Sequence, residues 1–468
     1  MAKVPPGGTD RSQTIEQRDA TGPRPRSRSL LRHPDFLKLW SAETISQAGT
    51  QVSLLAIPFV AITFLGASPF EVALLGTIEF LPFILFTLPA GVWVDRLRRR
   101  PILIAGDVVR AVALISIPVA YELNVLTIWQ LYVVGFLTGT ATVFFDIAYQ
   151  SYLPALVDRD QLVEGNSKLE ISRSGAQILG PGAAGILIAR LTAPVAIVLD
   201  SVSFLASALF LFLIRRPEPA PERRLDEHGR ARGSMRRETI EGLRYVLGHR
   251  YLRSIAACTS ISNFFSQFVF AILLVYLLRN LGMTVEVVGV LFSIGAVGFL
   301  LGALVASRIA SWLGVGPTIV ASAFLFGPGS LLVAIAPPDL AFPVIATGLF
   351  VSGLSGVIYN INQVSLRQAI TPERLQGRMN ATMRFLVWGT IPIGSLIGGV
   401  LATVIGLHET ILLGAVGGFV PFLFVLFSPI RTLEVIPEPV SDAERLSEAL
   451  DETPAPLGLG PLGRPDDD

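Results

Sequence analysis

Residues 91–100 read GVWVDRLRRR, and this short charged stretch separates two strongly apolar runs. The run before it is LPFILFTLPA (81–90), and the run after it is PILIAGDVVRAVALISIPVA (101–120). With their continuations, both runs are long enough to cross a hydrocarbon core of about 30 Å as helices. A charged turn between two such helices is typical of a chain that crosses a membrane more than once.

The composition agrees with this interpretation. Hydrophobic residues make up 51% of the 468-residue chain and charged residues 16%, whereas soluble domains carry about 25% charged residues. The mean hydropathy is +0.60. The runs are continuous rather than alternating, so they predict helices and not barrel strands. Twelve spans are predicted, near 36–65, 70–93, 101–121, 125–152, 166–190, 194–214, 251–280, 285–308, 316–336, 340–366, 378–405 and 410–429.

The distribution of Lys and Arg predicts how these spans are oriented. Apart from Arg110, Arg173 and Arg384 inside spans and Arg190 and Arg279 in odd-numbered connections, the basic residues lie in the tails, the even-numbered connections or the span ends beside them. Cytoplasmic loops carry an excess of Lys and Arg. We therefore expect a multi-pass protein of the cytoplasmic (inner) membrane with both termini in the cytoplasm.

The two halves of the chain resemble each other. A single offset superposes small and polar residues of the first half on identical residues of the second: Gly139 on Gly353, Asn166 on Asn380, Gly180 on Gly394 and Gly185 on Gly399. Because each half has an even number of spans, the halves enter the membrane in the same orientation, as parallel repeats. We predict an all-α membrane protein with twelve transmembrane helices in two six-helix pseudo-symmetric bundles.

The predicted organisation has five parts. They are a cytoplasmic N-terminal tail (1–32), an N-terminal bundle (33–214), a cytoplasmic linker (215–250), a C-terminal bundle (251–430) and a cytoplasmic C-terminal tail (431–468). The linker ends with Ile240, Leu243 and Leu247 at helical spacing, which predicts a short amphipathic helix on the inner leaflet. A central site belongs at the interface between the two bundles.

Residue usage argues against several kinds of site. Cys258 is the only cysteine, so neither a disulfide nor a cysteine-based metal site is expected. A phosphate-binding loop needs a lysine that follows a glycine, and none of Lys3, Lys38 and Lys168 does so. The net charge of +1 gives no reason to expect a nucleic-acid partner. The four histidines lie in tails, loops or span ends. We therefore expect no metal, no cofactor and no enzymatic activity.

Six plus six spans, with a charged loop between the second and third, resemble the major facilitator superfamily of transporters over about residues 33–430. The loop signature of that family runs Gly, three residues, Asp, Arg, one residue, Gly and two basic residues. Arg98 stands where the second glycine is usual, and the matching residues are Gly91, Asp95, Arg96, Arg99 and Arg100. The resemblance implies a protein embedded in the lipid bilayer that moves a small-molecule solute.

The same loop is the candidate cytoplasmic gate, which would link the two bundles on the inner side and open during transport. The resemblance assigns this role to Asp95 and Arg96. We expect Asp146, near the cytoplasmic end of the fourth span, to meet Arg96. Alternatively, the loop is only a topological anchor whose arginines hold the inner face. The full candidate gate comprises Gly91, Asp95, Arg96, Arg99, Arg100 and Asp146.

A second resemblance lies in the fifth span, at SGAQILGPGAAG (174–185). It is similar to a Gly/Pro motif in the exporter members of the superfamily, and the run RHPDFLKLWSAETISQAGTQVS (32–53) is similar to the bacterial drug and siderophore exporter branch. Ordinary packing of small residues is the alternative. The fourth span, LYVVGFLTGTATVFFDIAYQ, lacks the arginine that many proton-driven drug antiporters place there. The candidate helix-packing residues are Gly175, Gly180, Pro181, Gly182 and Gly185.

Polar residues inside the spans mark a candidate substrate cavity, because such side chains are rare within lipid. Glu43, Gln47 and Gln51 recur four residues apart and share one face of the first helix. The alternative role for the amides is hydrogen bonding between helices. The candidate cavity residues are Glu43, Gln47, Gln51, Tyr149, Asn263, Gln267, Tyr359, Asn360 and Gln363.

Glu79 is the candidate for proton coupling. It lies about 13 Å into the second span at 1.5 Å per residue, nearest the membrane midplane, where burial favours a protonated carboxyl. Glu43 is the next candidate, unless it forms a salt link near the inner surface.

Other charged residues in the spans occur at a spacing that allows them to neutralise one another. Asp107 with Arg110, and Glu170 with Arg173, are separated by three residues and so lie on one helix face. Arg384 has no evident local partner. The spacing thus predicts mutual neutralisation for both pairs.

Together these features favour a monomeric secondary carrier with alternating access that exports an amphipathic drug-like compound or natural product in exchange for protons. The alternatives are a siderophore exporter or a nutrient importer of the same fold with different coupling, and a membrane receptor or scaffold.

Overall fold

The computed structural model describes residues 30–157, 161–218 and 235–435. The first half contains six long helices. They are α1 (Pro34–Thr63), α2 (Pro69–Arg96), α3 (Arg99–Glu122), α4 (Ile128–Leu156), α5 (Leu162–Leu191) and α6 (Ala193–Phe212). These correspond to spans one to six.

The second half contains six further spans, preceded by a linker helix. The linker helix is α7 (Met235–Gly248), and span seven is α8 (Arg250–Val275), which continues into a π-helical turn (Tyr276–Asn280). The remaining spans are α9 (Val285–Leu313), α10 with α11 (Val315–Phe324, Phe326–Ala334), α12 (Ala341–Ala369), α13 with α14 (Glu373–Trp388, Thr390–Val404) and α15 with α16 (Leu407–Gly417, Pro421–Leu426). The predicted architecture of twelve helices in two bundles is confirmed.

Eleven of the described spans are long and apolar enough to cross a membrane by length and composition. The remaining span is α5, which has 30 residues but is interrupted by charged side chains, among them Lys168, Glu170 and Arg173. Polar residues along a buried helix usually face a cavity or another helix. The composition of α5 therefore indicates that it borders a polar interior.

Three spans that the sequence predicts as continuous are broken in the structure. The break between α13 and α14 falls at Gly389, three residues before Pro392, and the break in the last span precedes Pro421, which opens α16. Glycine weakens a helix and proline suits its first turn. The apolar runs do not indicate these breaks, because apolar residues continue on both sides of each break point.

Local sequence also explains where helices begin. At α2, Ser68 Oγ accepts a hydrogen bond from the Glu71 backbone N at 3.3 Å, and the Glu71 carboxylate accepts one from the Ser68 backbone N at 2.7 Å. This reciprocal pair satisfies two of the free donors of a helix start. At α1, His33 Nδ1 accepts from the Phe36 backbone N at 3.0 Å.

The apolar core is divided in a way that reveals the shape of the molecule. Its largest cluster contains residues of both halves, such as Leu55 and Ile188 with Ile272 and Val288. A second cluster around Phe36, Leu103 and Tyr152 belongs to the first half, and a third around Ile255, Ile319 and Met379 belongs to the second. The halves thus share one core at one end of the molecule, namely the end that lies farther from Pro34, the first residue of α1. We call this end the closed end. At the opposite end, called the open end, each half has its own core.

Small residues bring the halves together at the closed end. A Cβ atom at Gly289 of α9 would lie 2.4 Å from the Pro181 carbonyl oxygen of α5, and one at Gly399 of α14 would lie 2.6 Å from Ala73 of α2. Ser395 Oγ donates to the Ala73 carbonyl at 3.0 Å, across the same interface. Such close approach is how membrane helices gain packing energy. The two halves therefore touch through α5 with α9 and through α2 with α14.

The closed end offers a direct test of this packing. A Cβ at Gly182 of α5 would lie 4.0 Å from the Ser293 Cβ of α9, inside the range of about 3.5–4.5 Å for a disulfide. We expect Gly182→Cys with Ser293→Cys to cross-link rapidly on mild oxidation. Intact-mass and thiol-labelling measurements would follow the reaction, while the native Cys258 is buried.

The matched control pairs Ser293→Cys with Gly175→Cys, because a Cβ at Gly175 meets nothing within 4 Å. Equal cross-linking rates for the two pairs would contradict the closed end as described.

Candidate functional site

A cavity of about 620 Å³ lies among the six helices of the first half. Its wall includes the predicted stripe of α1, namely Glu43, Gln47 and Gln51, together with Glu79 of α2 and Tyr149 of α4. Asp146, Gln150, Asn166 and Glu170, which are exposed, border it at the open end. The cavity is therefore reached from the open end, and the shared core closes it towards the closed end.

The predicted cavity residues of the second half do not line this cavity. Asn263 donates to the Val387 carbonyl at 3.0 Å, and Gln363 donates to the Asn360 side chain at 2.9 Å. Tyr359 is buried and its hydroxyl lies 2.8 Å from Thr259 Oγ1. Gln267 lies against α14, where its Cβ is 3.1 Å from a Cβ placed at Gly394. The structure thus places Asn263, Gln267 and Tyr359 at contacts between helices of the second half. Gln363 instead bonds within α12 to Asn360, which is exposed.

Glu79 faces the cavity without a partner among the described residues. It makes no hydrogen bond or ion pair there, and its helix is held against α4 because a Cβ at Gly139 would lie 2.3 Å from the Glu79 carbonyl oxygen. Phe80 and Phe83 stack beside it, with ring centroids 5.4 Å apart, and both line the cavity. Glu79 is therefore a carboxyl group in aromatic surroundings, open to the cavity space.

Glu43 has a different environment. Its side chain accepts a hydrogen bond from Gln47 at 2.7 Å, whereas Oε2 is buried without a partner. No ion pair to Glu43 under 4 Å is present in the described part of the chain, so the salt link considered from the sequence is not observed there. The amide of Gln47 supports only one of the two oxygens.

Arg110 of α3 is the cation at the centre of this half. It forms an ion pair with Asp107 at 2.5 Å, as their spacing predicts. Its guanidinium also lies over the rings of Phe145 and Phe204, at 4.3 and 4.1 Å from their centroids. Arg110 is 6% exposed and lines the cavity. Sequence reasoning had treated it only as the neutralising partner of Asp107.

Asp200 of α6 was missed by the sequence analysis altogether. It is 1% exposed, lines the cavity and lies 3.0 Å from Ser203 Oγ. The signal was available in APVAIVLDSVSF (193–204), where one acid interrupts an otherwise apolar span. With it, five carboxyl groups and two guanidinium groups line the cavity: Glu43, Glu79, Asp146, Glu170, Asp200, Arg110 and Arg173. Glu170 and Arg173 form no ion pair under 4 Å in the described structure.

The candidate gate is only partly described. The side chains of Asp95 and Arg96 lie outside the described residues, and Gly91 faces open space. The Arg99 and Arg100 backbone N atoms donate to the Glu218 carboxylate at 2.7 and 3.2 Å, which caps the start of α3. The backbones of both arginines thus bind Glu218, at the beginning of the linker.

The fifth-span motif lies mostly at helix contacts. Gly182 N donates to Ser293 Oγ of α9 at 3.0 Å, and Gly180 packs on the Gln51 side chain of α1. Pro181 and Gly185 face the backbone of α9, whereas Gly175 has open space beside it.

A metal site is not offered by the described residues, since no group of three or more His, Cys, Asp or Glu side chains is placed to hold an ion.

In the second half, Arg384 lies over the Trp388 ring at 4.8 Å. Trp388 in turn contacts Phe80 across the two halves, with ring centroids 6.0 Å apart. Aromatic side chains therefore join the halves beside Glu79.

Comparison with known proteins decides the family. A sequence model of the Major Facilitator Superfamily matches residues 39–386, with a second match over 255–461. The chain belongs to the Major Facilitator Superfamily. It is a transporter and not an enzyme.

Two similar relatives are bacterial efflux proteins. The chain is 27% identical over 408 residues to "Multidrug efflux pump Tap" of Mycolicibacterium fortuitum, covering 84% of this chain and 97% of that one. It is 23% identical over 380 residues to "Macrolide efflux protein A" of Streptococcus pyogenes, covering 81% and 92%. The resemblance to bacterial exporters is thereby confirmed.

Solved structures support the fold. A bacterial homologue of the iron transporter ferroportin in its inward-facing state has a TM-score of 0.69 at 15% identity, covering 85% of this chain and 99% of that one. The outward-facing state has a TM-score of 0.55 at 16% identity, covering 84% and 98%.

The buried pair of Arg110 with Asp107 yields a stability prediction. Arg110→Met leaves Asp107 buried without its cation, so we expect a loss of roughly 3–5 kcal/mol in unfolding free energy. Adding Asp107→Asn should recover much of this loss, since no unpaired charge then remains. Thermal unfolding of the purified chain in detergent measures both effects.

The control is Arg308→Met, which alters an exposed arginine on α9. An Arg110→Met variant as stable as this control, or a double variant less stable than Arg110→Met, would show that the pair does not act as described.

Proposed function

We propose that the protein is a secondary carrier that exports an amphipathic drug-like compound or natural product by alternating access, in exchange for protons. The observation that carries this proposal is the cavity lined by acidic and aromatic side chains, reached from one end and sealed at the other by contacts between the halves. Carriers of this kind move a solute by opening such a cavity to each side in turn. Export is supported by the efflux relatives.

In the proposed orientation the protein lies in the inner membrane and its open end faces the cytoplasm. The positions of the basic residues support this orientation. Lys38, Arg100 and Arg216 lie at the open end, bound to carbonyl oxygens of Leu213, Phe212 and Leu156. Arg190 and Arg279 are the basic residues at the closed end. By the positive-inside rule the cavity then faces the cytoplasm, where an exporter collects its solute.

The moving parts are the bundles 33–214 and 251–430, joined by the linker 215–250. The start of the linker is fixed to the first bundle, because Asp35 accepts hydrogen bonds from the Arg215 and Arg216 backbone N atoms. Helix α7 is fixed to the second bundle by an ion pair of Glu241 with Arg378 at 2.7 Å. The described ends of the linker are thus each attached to one of the two bundles. Because one chain encloses the whole cavity, the proposed carrier is a monomer.

Glu79 is the proposed coupling residue. An ionised carboxylate without a partner is costly inside a membrane, so Glu79 is stable there when it holds a proton or faces a bound cation. In the proposed cycle it loads a proton from the outer side and releases it to the cytoplasm, while solute occupies the same cavity on the way out. Glu43 is the second candidate, and Asp146 follows if it has no role in the gate.

The gate proposal is retained for Asp95 and Arg96 on the side facing the cytoplasm. Asp146 is exposed in the cavity, which Arg110 and Arg173 also line. In the proposed cycle Asp146 gains Arg96 as a partner when the cytoplasmic end closes. This pairing belongs to the state opposite to the one described.

The test of coupling is Glu79→Gln in reconstituted vesicles, with ethidium and a radiolabelled macrolide as probes. We expect exchange of probe down its own gradient to survive, because the binding cavity stays intact. Accumulation driven by a proton gradient should fall to passive equilibration, as an amide cannot release a proton. A proton uncoupler should give the wild type the same behaviour.

Glu122→Gln provides a matched control, because Glu122 is exposed at the end of α3. Accumulation that persists in Glu79→Gln and disappears in Glu43→Gln would move the assignment to α1. Accumulation that persists in both variants would contradict coupling at either site.

A further inference from the structure

Asp200 lies in a confined position on α6, between α1 and α3. A Cβ at Gly49 of α1 would lie 2.5 Å from its Oδ1 and 2.1 Å from Ser203 Oγ, so the α1 backbone covers the carboxyl group directly. No cation lies within 4 Å of Asp200 in the described structure. A carboxylate held there would be a buried charge without an ion-pair partner, which is costly.

Two serine hydroxyls, those of Ser53 and Ser203, lie beside the Asp200 carboxyl group, and the contacts of Ser203 are compatible with a proton on that carboxyl. Ser203 Oγ lies 2.7 Å from the Asp200 backbone carbonyl and 3.0 Å from Asp200 Oδ1. A serine hydroxyl has one hydrogen, and the shorter contact to the carbonyl takes it. A proton on the Asp200 carboxyl then allows that group to donate to Ser203 Oγ, so both contacts become good hydrogen bonds.

Arg110 is placed to respond when this proton leaves. Its guanidinium holds Asp107 at 2.5 Å, but Nε is buried without a partner. Arg110, Asp200 and Glu43 all line the same cavity. A guanidinium has five N–H donors, so Arg110 retains a donor for a second carboxylate.

The charged groups that face Asp200 from the neighbouring helices are mostly acidic. Helix α1 presents Glu43, α3 presents Asp107 and Arg110, and α5 presents Glu170 and Arg173 towards the same cavity. Arg110 is thus one buried cation among three buried carboxyl groups, those of Glu43, Asp107 and Asp200. The described acids are not arranged to share a metal ion, so the missing positive charge is best supplied by a proton.

We infer that Asp200 is a proton-binding site of this protein, separate from Glu79 and controlled by Arg110. In the state described, Asp200 holds its proton and Arg110 pairs with Asp107. When Asp200 releases the proton to solvent in the cavity, its carboxylate attracts the unpartnered side of Arg110 and draws α6 towards α3. The contribution of this site to export rests on the proposed proton-coupled function, whereas proton binding by Asp200 does not.

Infrared spectroscopy of the purified full-length protein tests proton binding directly. A protonated carboxylic acid has a carbonyl stretching band that its ionised form lacks, and carboxyl-¹³C aspartate shifts that band for aspartic acids alone. We expect the labelled wild type to show an aspartic acid band that is lost in Asp200→Asn. The band should persist in Glu79→Gln and in the control Asp339→Asn, which alters an exposed loop residue.

Two further variants distinguish the inference from a folding defect. Ser203→Ala removes the hydrogen-bond partner, so the band should shift in frequency and remain present. Asp200→Glu should move the band to the unlabelled position of a glutamic acid. An aspartic acid band unchanged in Asp200→Asn, or absent from the wild type at every pH at which it stays folded, would overturn the assignment.

Transport gives the second measurement. Exchange of ethidium by vesicles should lose part of its pH dependence in Asp200→Asn and regain it in Asp200→Glu, which a merely structural role would not produce. If Asp200→Asn loses the infrared band but keeps the pH profile, the coupling role of Asp200 is overturned, whereas proton binding by Asp200 stands. Loss of proton-driven accumulation in Glu79→Gln is scored separately, so failure of the proposed function is recognised independently.

Discussion

A charge inside a membrane protein needs a partner, and this requirement organises the first half of the molecule. Arg110 holds Asp107 in an ion pair and lies between the rings of Phe145 and Phe204, so three helices meet around one guanidinium. Asp200 and Glu43 lie near it without ion pairs of their own. In the proposed mechanism some of these carboxyls hold protons, which would link the packing of these helices to proton concentration.

The second constraint is close packing at the closed end. Glycines at positions 185, 289 and 399 leave no room for a side chain, because atoms of the opposite half occupy that space. Packing of this kind is either formed or lost and does not deform gradually. A rearrangement that separates α5 from α9 would have to give up the shared core, and the separate cores at the open end would then be free to meet. In the proposed cycle of alternating access, this packing would couple the two ends of the molecule.

Sequence reasoning recovered the parts of the fold that depend on the pattern of one helix at a time. The apolar runs predicted the spans, and the four-residue spacing of Glu43, Gln47 and Gln51 predicted the cavity face of α1. Contacts between helices were harder to predict, because Arg110 and Phe204 meet only after α3 and α6 have packed. The amides Asn263 and Gln363 follow the same polar pattern as the α1 stripe, yet the structure places them in hydrogen bonds within the second half.

The central claim is that the two ends open in turn, and spin-label distances across both ends test it most directly. Labels on Leu97 and Leu313, which are exposed at the open end, report one distance, and labels on Leu123 and Ile335, exposed at the closed end, report the other. Lowering the pH or adding a transported probe should create a second population, in which the open-end distance is shorter and the closed-end distance is longer. Distances that stay fixed at both ends, or that change in the same direction, would contradict alternating access in this protein.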